Sequence, residues 1–143
     1  MMHLLQPDVP RGAQDLTFAS LRVLTVAFLV HGTWDNVTSV ARMDEFAAFL
    51  TQFGFPAPAM LAPLSVWVQF LCGVALVLGL LTRWAGVLVA INFVVAVVMV
   101  HWAEDFRGWW PAIVLVFLGL HFAAAGGGRY ALDQLVLDRR ESS

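Results

Sequence analysis

Two long apolar runs, separated by two residues, constrain this chain more than any other feature. Residues 62–81 contain no charge, residues 84–102 contain none either, and only Thr82 and Arg83 lie between them. About 20 apolar residues in a helix cross the hydrocarbon core of a bilayer. Both runs are apolar all round, whereas a helix in a soluble bundle keeps a polar face and a barrel strand alternates polar with apolar residues. They therefore predict two transmembrane helices joined as a tight hairpin.

Composition excludes several classes of function. The chain has 143 residues, 60% hydrophobic and 13% charged, against about 45–50% and about 25% in soluble domains. Its length suits one domain. All eight basic residues are arginines, and only Arg139 and Arg140 are adjacent. Nucleic-acid binding requires a basic patch or stripe, so no nucleic-acid partner is expected.

Four apolar segments can be counted, and they predict an all-α integral membrane four-helix bundle forming a single transmembrane domain. The predicted spans are residues 16–34, 62–81, 84–102 and 110–125. The first contains one charge, Arg22, which lies close enough to one end to snorkel. The fourth is short for a span, since about 17 residues is the lower limit.

The long first connection predicts a further helix. Apolar residues recur there at helical spacing, with acidic residues on other faces, and residues 54–58 end the pattern: Met43, Phe46, Ala47, Leu50 and Phe53. Such an amphipathic segment lies in the membrane interface or over the mouth of a bundle. We expect a short amphipathic helix over residues 43–53.

Small residues predict close helix packing. Ala75 and Gly79 are four apart in the second span, and Gly86 and Ala90 are four apart in the third. Pairs with this spacing let two helix backbones approach closely.

The arginines predict an orientation. With four spans, one side of the membrane receives six arginines and the other receives only Arg42 and Arg107; the six are Arg11, Arg22, Arg83, Arg129, Arg139 and Arg140. Short loops on the cytoplasmic side carry the excess of positive charge. Both termini, including a tail over residues 126–143, are therefore expected in the cytoplasm.

Polar side chains inside or beside the predicted spans are the candidate functional residues, because polar groups in a bilayer are costly. Helix direction places one set near the outer leaflet, with Gln69 about 10 Å below the surface. This predicted polar and aromatic binding cluster comprises His31, Trp34, Asp35, Asn36, Gln69, His101, Trp102 and Glu104.

Each member also has a purely structural interpretation. His31 followed by Gly32 is compatible with a helix end, and Gln69 with a hydrogen bond between helices. Asp35 and Glu104 balance the charges of nearby arginines. His101 and Glu104, at i and i+3, are two ligands and do not make a metal site. No metal site and no catalytic residue are predicted.

The functional interpretation is that His31, Asp35, Gln69 and His101 converge. A histidine beside a carboxylate can relay protons near neutral pH, and neighbouring tryptophans would suit the head of a quinone or another flat amphipathic molecule. Haem ligation by His31 and His101 is a weaker alternative, since the helices are short and no second pair exists. Cys72 has no partner for a disulfide and no CxxC motif.

Four short motifs, in order, resemble those of the DoxX family. Residues 69–85 resemble its E-x-x-x-G-x-x-L-x-x-G-L-x-T-R-x-A signature, with Gln69 in the first position. His31-Gly32 resembles the first-helix H-G, and Phe46 with residues 54–58 resembles F…G-x-P-x-P. Residues 126–133 resemble the terminal G-x-G-x-Y-S-L-D.

The resemblance implies a four-helix membrane protein of a bacterial plasma (inner) membrane. Members are often described as oxidoreductases, and the family is associated with quinone-linked sulfur oxidation. Two positions depart from the family pattern: Asp35 stands where a basic residue is usual, and Gln69 where Glu is usual. Gln69 cannot titrate or form an ion pair, so any family site that uses this charge pair is altered or lost here.

Three functional hypotheses follow. The first is an accessory subunit or scaffold of a membrane redox assembly linked to quinone, with lipid and redox proteins as partners. The second is a carrier or transporter of a small apolar or weakly polar molecule. The third, a stand-alone membrane oxidoreductase acting with quinone, is disfavoured because the sequence has no cofactor motif, CxxC pair or metal cage. No resident cofactor is evident, and the candidate ligand is quinone. Self-association remains an open alternative.

Overall fold

The computed structural model describes residues 9–134 and 136, and this part of the chain is helical without a strand. Four helices are long and apolar enough to cross a membrane: α1 (Arg11–Thr38), α3 (Pro58–Leu78), α4 (Thr82–His101) and α5 (Phe106–Ala125). A shorter helix, α2 (Val40–Gln52), follows α1. The predicted fold class, an all-α membrane bundle, is confirmed. Part of the predicted tail lies outside the described residues, namely residue 135 and everything beyond residue 136, including Arg139 and Arg140.

The four long helices enclose one apolar core. Helix α1 packs against α3, α3 against α4, and α4 against α5, while α2 contacts α3 and α1. Each long helix contributes one fully buried large apolar side chain, and these are Leu29, Leu76, Val89 and Phe122. Many large apolar side chains on the opposite faces are exposed, as Leu24 and Leu71 are. Lipid is the solvent such faces require.

Ser39 separates helices α1 and α2 and is the N-cap of α2. Helix α1 is longer than the apolar segment 16–34, because backbone hydrogen bonding continues through polar residues at both ends. Ser39 interrupts the helix in an extended conformation, and its side chain accepts from the backbone N–H of Arg42 at 3.4 Å. Serine is a favoured N-cap for this reason. Only Leu50 of α2 is buried, so the rest of this helix is partly or fully exposed.

The turn between α3 and α4 lies three residues earlier than the sequence suggested. Helix α3 ends at Leu78, and Gly79 caps it with φ +67°. This left-handed conformation suits glycine, and a Cβ at Gly79 would lie 2.5 Å from the Cα of Ala131. Thr82 and Arg83, expected as the connection, instead form the first turn of α4. Gly79 is thus a turn residue rather than part of a packing pair with Ala75.

Helices α4 and α5 touch backbone to backbone. A Cβ at Gly86 would lie 2.5 Å from the carbonyl oxygen of Gly119, and one at Gly119 would lie 2.7 Å from the backbone nitrogen of Ala90. The close spacing that Gly86 and Ala90 suggested is therefore found, with Gly119 as the partner. Such contact is typical of small residues at membrane helix interfaces.

Helix α4 ends in a π-helical turn, and helix α5 begins at an N-cap residue. The last five residues of α4, Val97–His101, form a π-helical turn. Asp105 then caps α5 by accepting from the backbone N–H of Gly108 at 3.0 Å. This cap starts α5 at Phe106, four residues before the apolar segment 110–125, so the span that seemed short has 20 residues.

Candidate functional site

His101 and Glu104 form the closest pair among the residues selected from the sequence. The Nδ1 atom of His101 lies 2.7 Å from an Oε2 atom of Glu104. The π-helical turn ends at His101, and the backbone N–H of Glu104 donates to the carbonyl of His101 at 3.0 Å. This tight turn brings the carboxylate back over the ring. Both side chains are partly accessible.

Helix α5 presents one face to Glu104 and carries an apolar groove on another face. Glu104 packs against Gly108, where any side chain would collide with the carboxylate. The groove has a volume of about 460 Å³, and neither His101 nor Glu104 lines it; its lining is Trp109, Trp110, Ile113, Val114, Phe117 and Leu118. The Phe106 ring packs against both tryptophans, with centroids 4.9 and 5.1 Å away. Sequence analysis did not select this groove, although adjacent tryptophans after an acidic connection were a usable signal.

The residues selected from α1 make no hydrogen bond to that pair in the described part of the chain. His31 and Asp35 are exposed, and the Trp34 ring lies 6.4 Å from that of Phe70 on α3. Asn36 donates from Nδ2 to the carbonyl of Arg42 at 3.0 Å and so ties α1 to α2.

Gln69 belongs to a third group, at mid-length of α3 and α4. Its Nε2 donates to Ser65 Oγ at 3.2 Å, and that hydroxyl donates to Oδ1 of Asn92 at 2.8 Å. Helix α3 begins at Pro58 rather than at residue 62, so Gln69 lies about 16 Å from the first residue of the helix. Ser65 was not selected from the sequence, since a serine is unremarkable until its partners are known.

The eight selected residues are therefore distributed over several positions. Side-chain hydrogen bonds join only His101 to Glu104 among them, within residues 9–134 and 136. Trp102 is 78% exposed. No group of three His, Cys, Asp or Glu side chains that could hold a metal ion occurs in the described part of the chain.

The opposite end of the bundle, which we call the terminal end, is closed by residues 126–134, the glycine loop. Arg22 of α1 is 5% exposed, and it donates from Nη1 to the carbonyl of Gly127 and from Nη2 to that of Tyr130, the latter at 3.1 Å. The expectation that Arg22 snorkels to the surface is wrong, because loop carbonyls accept from both terminal nitrogens of the guanidinium inside the protein, and only its buried Nε has no hydrogen-bond partner in the described part of the chain. Hydrogen bonding of this kind makes a buried charge tolerable.

Two helix ends at the terminal end are completed by side chains, one of them from the glycine loop. Asp133 accepts from the backbone N–H groups of Leu81 and Thr82 at 2.8 and 2.9 Å, at the start of α4. Arg83 donates from Nη1 to the carbonyls of Ala123 and Ala124, at the end of α5. A carboxylate at a helix N-terminus and a cation at a C-terminus both match the helix dipole.

A cavity of about 870 Å³ lies between the glycine loop and the α3–α4 turn. Its walls include two arginines, an exposed tryptophan and apolar residues: Leu80, Leu81, Arg83, Trp84, Gly126 and Arg129. Sequence analysis treated these segments as family motifs and did not place them together, because they are about 45 positions apart in the chain.

Comparison with known proteins gives one match. The family model described as DoxX matches residues 18–102, which is more than half of the chain. The matched part runs from Phe18 in α1 to Trp102 after α4, so α5 and the glycine loop lie outside it. Neither a curated protein nor a solved structure shows significant similarity.

Proposed function

Because this chain belongs to the DoxX family and is a multi-pass membrane protein, we propose that it is an accessory subunit of a membrane redox assembly and binds quinone. The observation that carries the proposal is an aromatic groove on α5, with the His101–Glu104 pair near the α4–α5 connection at which α5 begins. Ligand pockets commonly combine an apolar lining with a few placed polar groups.

The groove suits a quinone by its chemistry. Tryptophan and phenylalanine offer flat apolar faces to a ring or an isoprenoid tail, and the lining is almost wholly carbon. The groove lies along a helix long and apolar enough to span the membrane, so a lipid-soluble ligand reaches it from the bilayer.

We assign the polar contact to His101, which lies near the start of α5 and outside the groove lining. Its Nδ1 faces Glu104, and its Nε2 makes no hydrogen bond within the described part of the chain. Protonated His101 would donate from Nε2 to a quinone carbonyl, whereas neutral His101 with Nδ1 protonated would accept there from a hydroquinone hydroxyl. Reduction of a quinone to a hydroquinone takes up two electrons and two protons. In this proposal the electrons come from a redox partner protein, and this chain binds and orients the ring.

Tryptophan fluorescence tests the binding site. Decylubiquinone is titrated into the purified protein in detergent, and we expect saturable quenching. Trp110→Leu should weaken binding about fivefold through loss of an aromatic contact, and His101→Ala about tenfold through loss of a hydrogen bond. Trp67→Leu is the matched control, since Trp67 is 44% and Trp110 51% exposed. Equal binding by both tryptophan variants would refute this site.

Gentle co-purification tests the accessory role. Bound proteins and lipids are identified by mass spectrometry after mild solubilisation from the native membrane. The proposal is supported if a redox enzyme co-purifies with the chain and if the complex reduces quinone more slowly when the chain carries His101→Ala. A chain that purifies alone and binds no quinone counts against it.

The carrier alternative depends on the Ser65–Gln69–Asn92 group, which places polar atoms at mid-length of two spanning helices. These atoms bond to one another, and so the group also serves to join α3 to α4. Flux of a weakly polar solute, such as a short-chain alcohol, into proteoliposomes decides this alternative. A carrier is favoured over an accessory subunit if the wild-type protein transports the solute and if Gln69→Leu and His31→Ala each abolish that transport.

A further inference from the structure

A second ligand site lies at the terminal end, apart from the groove on α5. We propose that the cavity of about 870 Å³ between the glycine loop and the α3–α4 turn binds the phosphate group of an anionic phospholipid. The inference does not depend on quinone binding, because it concerns other residues at the opposite end of the bundle.

Two guanidinium groups line the cavity. Arg83 uses Nη1 for the carbonyls of Ala123 and Ala124, while its Nε and Nη2 make no hydrogen bond in the described part of the chain. Gly126 faces this side of Arg83, and a Cβ there would lie 3.5 Å from Nε. Guanidinium groups match phosphate oxygens in geometry and charge.

Arg129 is the second cation. Its side chain is 73% exposed, and its one ion pair within residues 9–134 and 136 is a long contact of 3.8 Å with Asp15. A pair so open to solvent holds the side chain weakly. Arg129 is therefore available to an anion that enters the cavity.

The carboxylate in the cavity wall is already engaged. Both oxygens of Asp133 accept backbone N–H groups at the start of α4, at 2.8 and 2.9 Å. Its negative charge is balanced in part by the positive end of the helix dipole. The electrostatic potential of the cavity is therefore set mainly by the two arginines.

The apolar part of the wall indicates a lipid rather than a free phosphate ion. Leu81 and Trp84 are 61% and 70% exposed beside Arg83. Exposed tryptophans of membrane proteins lie at headgroup depth. A phospholipid would place its phosphate at the arginines and its acyl chain along these side chains, and basic pockets on the cytoplasmic side of helix bundles bind anionic headgroups in this way. A free ion would use only the arginines.

Native mass spectrometry tests the proposal on the full chain. The protein is reconstituted in nanodiscs of phosphatidylcholine with and without phosphatidylglycerol, and retained lipid molecules are counted. We expect the wild-type protein to retain phosphatidylglycerol selectively. Arg129→Gln should lower that retention about fivefold, since a basic residue near an anionic headgroup contributes about that factor.

Arg107→Gln is the matched control, because it removes the same charge from the opposite end of the bundle. It should retain phosphatidylglycerol as the wild type does. Arg83 also holds the end of α5, so Arg129→Gln is the decisive variant. Unchanged retention by Arg129→Gln would overturn the site. Release of the lipid by added inorganic phosphate would overturn the choice of a lipid over a free ion.

Discussion

Asp133 caps helix α4 at Thr82, a residue 51 positions earlier in the chain, with 2.9 Å between its carboxylate and the backbone nitrogen. The second carboxylate oxygen accepts from Leu81, whose own side chain cannot cap a helix. An N-cap carboxylate contributes about 1–2 kcal/mol. We expect Asp133→Ala to lower the free energy of unfolding by that amount, measured by thermal or denaturant unfolding in detergent. Asp44→Asn, an exposed position on α2, is the control and should change little; an equal loss in both variants would contradict this role.

Gly119 should tolerate no side chain. A Cβ there would lie 2.7 Å from the carbonyl oxygen of Gly86 and from the backbone nitrogen of Ala90, and backbone atoms cannot move aside. We expect Gly119→Ala to destabilise the protein by about 1–3 kcal/mol, as overpacking usually does. Gly32→Ala is the matched control, because a Cβ at Gly32 meets nothing within 4 Å and alanine favours a helix. If both variants melt like the wild type, α4 and α5 are not in direct backbone contact.

Among the charged residues, Arg22 should be the one whose substitution lowers the stability of the fold most. Its removal leaves the carbonyls of Gly127 and Tyr130 without their buried donor, and bonds from charged donors contribute about 1.5–3 kcal/mol each. We expect Arg22→Gln to lose about 2–4 kcal/mol and to make the glycine loop sensitive to limited proteolysis. The same change at Arg11, which is exposed at the start of α1, should have little effect. A protease-resistant loop in Arg22→Gln would show that the guanidinium does not hold it.

Ser65 and Asn92 should be energetically coupled. Their side chains share a hydrogen bond of 2.8 Å between α3 and α4, and such bonds in membrane proteins average about 0.6 kcal/mol, with a maximum of about 1.7. A double-mutant cycle with Ser65→Ala and Asn92→Leu should give a coupling energy in this range. Additive effects of the two substitutions would exclude the bond.

Local hydropathy sufficed to predict the fold class. The charge-free runs at residues 62–81 and 84–102 and the helical spacing from Met43 to Phe53 indicated helices, and helices are present there. Hydropathy failed at the boundaries, which depend on capping. Asp105 caps α5 so that this helix begins before the apolar segment 110–125, and Gly79 ends α3 inside the apolar segment 62–81.

The candidate sites were harder to predict because they depend on contacts between distant segments. His101 and Glu104 are three residues apart, and their pairing was foreseeable from sequence. Arg22 bonds to residues more than 100 positions away, so its single charge in an apolar run looked like a surface residue. The tight approach of Glu104 to Gly108 is likewise indicated by no local pattern.

The glycine loop also constrains the order of assembly during synthesis. Helices α1, α3 and α4 leave the ribosome and can enter the membrane before the loop exists, and during that interval the guanidinium of Arg22 and the first N–H groups of α4 lack their native acceptors. Only when Gly127, Tyr130 and Asp133 emerge can these groups be satisfied within the protein. Until then, water or lipid headgroups at the membrane surface must solvate Arg22, so the nascent bundle reaches its native arrangement only after translation has passed Asp133.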